Sequence, residues 1–436
     1  PIRLSIEPYL SVYTDIENQN TNYALYGGAD LKLGLSENFT VDMTLIPDFG
    51  QTIFDDEILN LSPFETRYNE NRSFFTEGTE LFKKGNLFYS RRIGGLPAQL
   101  ELELVADEKI INYPSHIKLY NASKISGRTQ DGWGIGFFNS LTQNTYATIE
   151  DTISNTTRDI VIEPITNYSM IVVDKSFNQN SFLTFVNTNV NRNSDFRNAH
   201  VLGLLGSITN NNETHTYDLS LKGSFIKDKG QENGFASSIS LYNIDGNIRY
   251  GLNNYIESDQ YDINDMGFLY QNNEVNTYAE LAYNVFSSDE KIAKKLDILK
   301  GEIKFSIEHQ MLYKPFTESA LIAKLDAWSV NKYHLWQNIR LRYFFEEKDY
   351  FEARQDGQVF IKPPAVKMTF STSSDYNKKF ALNLSASLQY RFTNKYLIWE
   401  EFSNIYFYGR INPRFRINNH LFLQYILALE KENDQV

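Results

Sequence analysis

Between Tyr217 and Phe225 the chain reads Tyr217-Asp218-Leu219-Ser220-Leu221-Lys222-Gly223-Ser224-Phe225, with apolar or small residues at odd positions and polar ones at even positions. The alternation returns at Ile303, Phe305, Ile307, Met311 and Tyr313 against Glu302, Lys304, Ser306, Glu308 and Gln310. It returns again at Leu382, Leu384, Ala386, Leu388 and Tyr390 against Asn383, Ser385, Ser387, Gln389 and Arg391. Successive side chains on a strand point to opposite faces, so each segment has one apolar and one wet face. Many such strands, with few apolar runs and no large helical part, predict a closed sheet that is greasy outside and polar inside. The expected fold is all-β, a transmembrane antiparallel β-barrel. A soluble array of β-sandwiches is the alternative. It would turn its apolar faces inward and leave no band for lipid.

At 436 residues a soluble chain would ordinarily split into two or more domains. Here the strand-and-turn texture continues throughout without a Pro- or Ser-rich linker, so one barrel domain over 1–436 is the simpler reading. Aromatic residues make up 14% of the chain. Sheets favour aromatics in any case, but Tyr9, Tyr13, Tyr313, Tyr390 and Tyr408 fall near expected strand ends, where interfacial girdles sit. Mean hydropathy is −0.42, and no apolar run approaches the ~20 residues of a membrane helix. Both fit a barrel, whose strands turn only alternate residues to lipid, and both fit a soluble β protein as well. The net charge of −12 argues against a nucleic-acid partner. The absence of cysteine excludes a disulfide framework and a cysteine zinc site. No signal peptide is visible at Pro1, which predicts a mature form or an excerpt.

Candidate strands run from 3–13 to 419–430 and number roughly sixteen to twenty-two, a size typical of such barrels. They include 86–93, 99–106 and 264–272, and longer polar loops are expected at 143–163 and 287–298. The exception to the strand texture is an insert at 47–86. It carries Asp48, Glu65, Glu70, Glu77 and Glu80 together with Arg67 and Arg72, and Arg91 and Arg92 follow. Apolar residues mixed with both signs of charge in one long insert predict a folded, plug-like element. Its expected lumen-side charge cluster is Asp48, Glu65, Arg67, Arg72, Glu77, Arg91 and Arg92, held as carboxylate–guanidinium pairs. A polar ligand site inside the barrel is the functional alternative. Phe49, Phe64, Phe74 and Phe75 are expected to pack the plug, and Gly50, Gly78 and Gly94 to serve turns.

These residues also carry a resemblance. Asp48-Phe49-Gly50-Gln51, Asn60-Leu61-Ser62-Pro63-Phe64-Glu65, Arg72-Ser73-Phe74-Phe75-Thr76-Glu77-Gly78 and Phe88-Tyr89-Ser90-Arg91-Arg92-Ile93-Gly94 resemble a Bacteroidota outer-membrane barrel family of unknown function. Gly127-Arg128-Thr129 with Gly132-Trp133-Gly134-Ile135-Gly136, Glu163-Pro164-Ile165-Thr166-Asn167-Tyr168 and Asn264-Asp265-Met266-Gly267-Phe268 extend the likeness over most of the chain. The resemblance implies an outer-membrane location. It also implies a β-sandwich similar to family-nine carbohydrate-binding modules ahead of the barrel, which is expected to lie outside this stretch of sequence. The polar run Glu430-Lys431-Glu432-Asn433-Asp434-Gln435-Val436 differs from the aromatic-ended strand usual in outer-membrane barrels, so the chain is expected to be an excerpt lacking its closing strand or strands.

Other chemistry is sparse. Asp262-Ile263-Asn264-Asp265-Met266-Gly267 lacks the twelve-residue calcium-loop pattern and reads as a hairpin turn. His116, His200, His215, His309, His334 and His420 are scattered over candidate strands with no helical metal pair, so no metal or cofactor is expected. No nucleophile elbow or phosphate loop is present, and no catalytic residues are assigned. The expected role is a plugged channel or capture barrel for a solute such as a glycan, with outer-membrane lipid as its surroundings. A non-conducting scaffold barrel that holds envelope protein partners is the second reading, and an outer-membrane hydrolase is the third.

Overall fold

The computed structural model describes residues 3–17, 20–47, 58–97, 102, 104–114, 116–178, 180–193, 195–228, 230, 233–287, 290–352, 355, 357–392, 405–418 and 420–431. The strands are β1 (Arg3–Glu17), β2 (Asn20–Gly34), β3 (Phe39–Leu45), β4 (Glu108–Asn112), β5 (Leu119–Arg128), β6 (Trp133–Thr142), β7 (Thr145–Asp151), β8 (Thr156–Glu163), β9 (Thr166–Phe177), β10 (Ser181–Arg192), β11 (Asn198–Thr209) and β12 (His215–Lys227). They continue as β13 (Gly234–Asn243), β14 (Ile248–Glu257), β15 (Glu274–Val285), β16 (Ile298–Leu312), β17 (Glu318–Asn331), β18 (Trp336–Phe344), β19 (Glu347–Asp349), β20 (Phe360–Lys362), β21 (Ala365–Ser373), β22 (Phe380–Arg391), β23 (Ile405–Arg416), β24 (Phe422–Gln424) and β25 (Leu427–Lys431). Two short helices, α1 (Ser73–Thr76) and α2 (Lys291–Leu296), interrupt them. Among the described residues, twenty strands belong to one large sheet, while β4-β7-β8 and β19-β20 form small ladders. Every strand pair whose register is resolved is antiparallel.

Several expected elements are corrected. Residues 86–93 form no strand; they run through two 3-10 turns, Lys84–Asn86 and Ser90–Arg92. Positive φ at Gly85 (73°) and Asn86 (55°) breaks the extended path there. The segment 264–272 is also not a strand, because its apolar residues fold onto the insert. The loop expected at 143–163 is the hairpin β7–β8, and that at 287–298 contains α2. In place of one strand at 419–430 there are two short ones, β24 and β25, both pairing with β23. Residues 102 and 104–106, the described part of the expected strand 99–106, are not extended into a ladder either.

Residues 1–208, 219–237 and 257–273 make one compact unit. Its strands pair in the order β1-β2-β3-β5-β6-β9-β10-β11. Across them one register row reads Leu4, Leu33, Val41, Ile125, Phe137 and Ile171. The row one residue along reads Ser5, Lys32, Asp42, Lys124, Phe138 and Met170. Leu4, Phe137 and Ile171 are exposed, while Asp42, Lys124, Phe138 and Met170 are buried.

Residues 209–218, 238–256 and 274–436 make the second unit. Its ladder β15-β16-β17-β18-β21-β22-β23 aligns Leu281, Phe305, Leu325, Leu341, Met368, Leu388 and Phe407 in one row. All seven are exposed, Phe305 by 47% and Leu281 by 55%. The adjacent row on the opposite face reads Ala282, Lys304, Asp326, Arg340, Thr369, Ser387 and Tyr408. A period-2 sequence therefore produces two faces of opposite character, and the apolar one is uncovered.

Tyrosine positions only partly follow the expected girdle. Tyr390 lies exposed on the apolar face, edge-on to Phe392 at 5.3 Å, beside the edge-on pair Tyr343–Phe345 at 4.7 Å. Tyr9 and Tyr408 instead lie on the polar face, and Tyr9 donates its hydroxyl to the Ile46 carbonyl at 2.7 Å. Tyr9 follows Pro8 in a strand whose apolar positions are the even ones, so its parity sends it inward with Ser5 and Glu7.

Candidate functional site: the insert and the face it covers

Between β3 and β4 the described insert, residues 58–97, has almost no regular structure of its own. Ile58, Leu59, Leu61 and Leu96 at its ends are exposed, but its central hydrophobic side chains are among the most buried in the described chain. Phe75, Leu81, Phe82, Leu87 and Ile93 join Phe138, Met170, Val172, Val186, Val201 and Leu205 from the strands in one core. Phe138 of β6 is the shared contact, with ring centroids 6.1 Å from Phe75, 6.3 Å from Phe82 and 5.2 Å from Phe88. Burying each such side chain contributes about 1.5–3 kcal/mol.

The wall is shaped for this contact. In Gly132-Trp133-Gly134-Ile135-Gly136 the large residues Trp133 and Ile135 face away and are exposed, while Gly134 and Gly136 face the insert. A Cβ at Gly134 would lie 2.8 Å from Leu81 Cδ2, and one at Gly136 would lie 3.2 Å from Phe82 Cε1. On β11, a Cβ at Gly203 would approach Leu87 Cδ1 to 3.0 Å. The glycines on these strands are recesses that admit the insert's apolar knobs.

Charge pairs fix the insert internally. Arg72 is buried and holds Glu70 in a two-pronged pair, Nε to Oε1 at 2.9 Å and Nη2 to Oε2 at 2.7 Å. It also donates to the carbonyls of Ile93 (2.7 Å) and Ser90 (2.6 Å), and its guanidinium lies 4.3 Å from the Phe75 ring centroid. Ser90 donates its hydroxyl to Glu70 at 2.6 Å. Burial pushes the Glu70 carboxyl up, but the hydrogen bonds and charge of Arg72, with Ser90 and the Arg72 amide, more than offset it and hold the group below its ordinary value. Arg92 clasps Glu65 at 2.9 and 2.7 Å. Arg91 donates to the Asn69 carbonyl, and Arg67 lies over the rings of Tyr89 and Phe268.

Other pairs tie the insert to the sheet. Lys32 of β2 meets Glu77 at 2.6 Å. Lys124 of β5 donates to the Phe74 and Glu77 carbonyls. Asp174 of β9 is 0% exposed on its side chain, and it is bracketed by Arg128 at 2.6 Å and the insert's Lys84 at 3.4 Å. A buried carboxylate needs such compensation. The loop at 258–273 closes over the same element. Met266 accepts a hydrogen bond from the Tyr89 amide at 2.7 Å, Gly267 accepts one from Arg92 at 3.1 Å, and Phe268 packs edge-on against Tyr89. Asp262 and Asp265 of that loop pair with Arg197, and Asp265 also with Arg192. The stretch read as a hairpin turn is thus an anchoring loop with an Arg–Asp network.

Of the expected charge cluster, the structure brings Arg72, Arg91 and Arg92 onto one face of the insert with Glu70 and Glu65, and places Glu77 apart against β2. Phe75 is buried, Phe74 and Phe64 are half-buried, and Gly78 and Gly94 have φ of 58° and 75°. Asp48, Phe49 and Gly50 lie outside the described residues. Reading the sequence locally overlooks Lys84, Lys124, Asp174, Arg192 and Asp265, because their partners are far away in the chain. For Lys124, Asp174 and Arg192 the signal is weak but present, a charged residue on a strand; Lys84 and Asp265 lie in a turn and a loop and carry none. The histidines stay scattered. His200 contacts Asn187 at 2.6 Å and His215 contacts Tyr250 at 2.9 Å. No group of three metal-ligating side chains occurs among the described residues.

A family model described as a domain of unknown function, DUF5916, matches residues 1–436. The chain belongs to that family. No curated protein and no solved structure is significantly similar to it. What DUF5916 offers in this chain is therefore read from its own geometry: a folded insert locked onto one face of a sheet whose other face is apolar and exposed.

Proposed function

We propose that this DUF5916 chain is an outer-membrane β-barrel in which the large sheet closes on itself, the insert acts as a plug, and a water-borne solute is passed or captured on the polar side. One observation carries this reading: the row from Leu281 to Phe407, exposed on seven successive strands, backed by the polar row from Lys304 to Tyr408. In water such a band exceeds the apolar patches that monomeric proteins tolerate and invites aggregation. In a bilayer it is the surface that faces the hydrocarbon, and closure satisfies the backbone of the edge strands. The exposed aromatic cluster Tyr343, Phe345, Tyr390 and Phe392 suits an interfacial belt. The solute class proposed is a glycan, handled together with the carbohydrate-binding-like sandwich that the resemblance implies ahead of the barrel.

The plug is tested by reconstituting the full chain in planar bilayers beside a variant in which 58–95 is replaced by a short Gly-Ser linker. A rise in single-channel conductance on deletion is expected. Equal conductance for the two proteins would contradict the plug.

A further inference from the structure

The chain carries a net charge of −12, yet four adjacent strands of the second unit carry cations and no carboxylate. β18 has Arg340 and Arg342, β21 has Lys367, β22 has Arg391, and β23 has Arg410, Arg414 and Arg416, with no Asp or Glu on any of the four. Register puts them on the polar face. Arg342 lies opposite Lys367, Arg340 opposite Thr369, and Arg410 opposite Ser385, all out of step with the apolar row.

Of these seven cations, Arg340 alone has a carboxylate partner among the described residues, Asp326 of β17. Glu430 of β25 faces the same side and accepts the Tyr406 hydroxyl at 2.9 Å. Among the described residues, Arg342, Arg410 and Arg414 have no carboxylate partner, and the Nε of each is buried without a hydrogen bond. Two like cations, Arg342 and Lys367, stand directly opposite each other, an arrangement that costs stability unless an anion lies between or near them.

Beside Arg410 is a cavity of about 270 Å³. Ser371 and Ser385, its neighbours in a single cross-strand row with Arg410, line the cavity with Asn383, Asn412 and Trp336. A guanidinium without a carboxylate partner, beside serine hydroxyls at the wall of a polar cavity, is the chemistry that binds an oxyanion. We infer that this groove binds the phosphate or carboxylate group of a water-borne anionic solute, with Arg410 as the direct ligand and Arg342 and Lys367 supplying the attracting field. The inference rests on the reading that this face looks onto water.

The test uses the purified full chain in detergent and inorganic phosphate as the probe, followed by calorimetry at low salt. Saturable binding is expected, weakened tenfold or more in Arg410→Gln and several-fold in Arg342→Gln, and unchanged in Lys83→Gln, which removes one positive charge from the exposed surface of the insert. Arg410→Lys keeps the charge but loses the fork, and an intermediate affinity is expected. Thermal melts check that each variant folds. No saturable binding of either phosphate or acetate by the parent protein, an equal loss in Lys83→Gln, or displacement of phosphate by phosphatidylglycerol added to the micelle would overturn the inference. Binding is read without conduction. A protein that conducts but binds no oxyanion refutes this site alone, and one that binds but never inserts into bilayers refutes the barrel reading instead.

Discussion

At the scale of single residues, Arg72 is the side chain on which the insert's shape depends most. Its guanidinium donates four hydrogen bonds, two to the Glu70 carboxylate and one each to the Ser90 and Ile93 carbonyls. Arg72→Ala leaves the half-buried Glu70 with only the Arg91 cation, at 4.0 Å, a defect costing on the order of 1–3 kcal/mol. The expected outcome is selective proteolysis within 58–97 while the strands stay protected, read by mass spectrometry of the fragments. Arg72→Lys should rescue only part of this, since a point charge cannot reproduce the fork. The same pair sets a pH dependence. The folded Glu70 carboxyl titrates below its ordinary value, so its stabilisation is complete at neutral pH and persists down into the usual carboxylate range. It is lost as pH falls through the lower, folded value. Hydrogen exchange in the insert should therefore accelerate in acid, and Glu70→Gln should weaken that acid response. These residues could be named from the sequence because both signs of charge crowd one insert. Their partners could not be paired, because Arg92 reaches Asn264 across 172 positions and Lys84 reaches a carboxylate on β9.

At the scale of elements, the strands were legible wherever one face is apolar and the other polar, because a period of two has no other structural use. Legibility failed where apolar residues serve the insert. Leu87-Phe88-Tyr89-Ser90 has the composition of a strand, but Leu87 and Tyr89 are buried against β11 and the 258–273 loop, and the backbone turns at Gly85 and Asn86 to place them. Met266 and Phe268 misled in the same way. The glycines of β6 stand out as a motif in the sequence, but their purpose appears only with Leu81 and Phe82 against them. Gly136→Val should push the insert away from β6 at a cost of about 1–3 kcal/mol from overpacking. Hydrogen exchange is expected to rise in residues 79–90 and to stay unchanged in β16–β18.

At the scale of the molecule, the account depends on which face of the sheet meets hydrocarbon. The apolar row through Phe305 and the polar row through Lys304 lie one residue apart. In lipid, Phe305→Arg should lower barrel stability by about 2–4 kcal/mol if the row is near the bilayer centre. Lys304→Arg, on the opposite, polar face, should cost far less. Urea titration of the folded protein in liposomes measures both. The chain contains no cysteine, so single substitutions Phe305→Cys, Leu341→Cys, Lys304→Cys and Arg340→Cys can each be spin-labelled in the reconstituted protein and probed with oxygen and with a water-soluble nickel chelate. The account predicts that labels at 305 and 341 collide with oxygen and are shielded from nickel, while those at 304 and 340 show the reverse. Labels at 305 and 341 that see nickel as readily as those at 304 and 340 would contradict it.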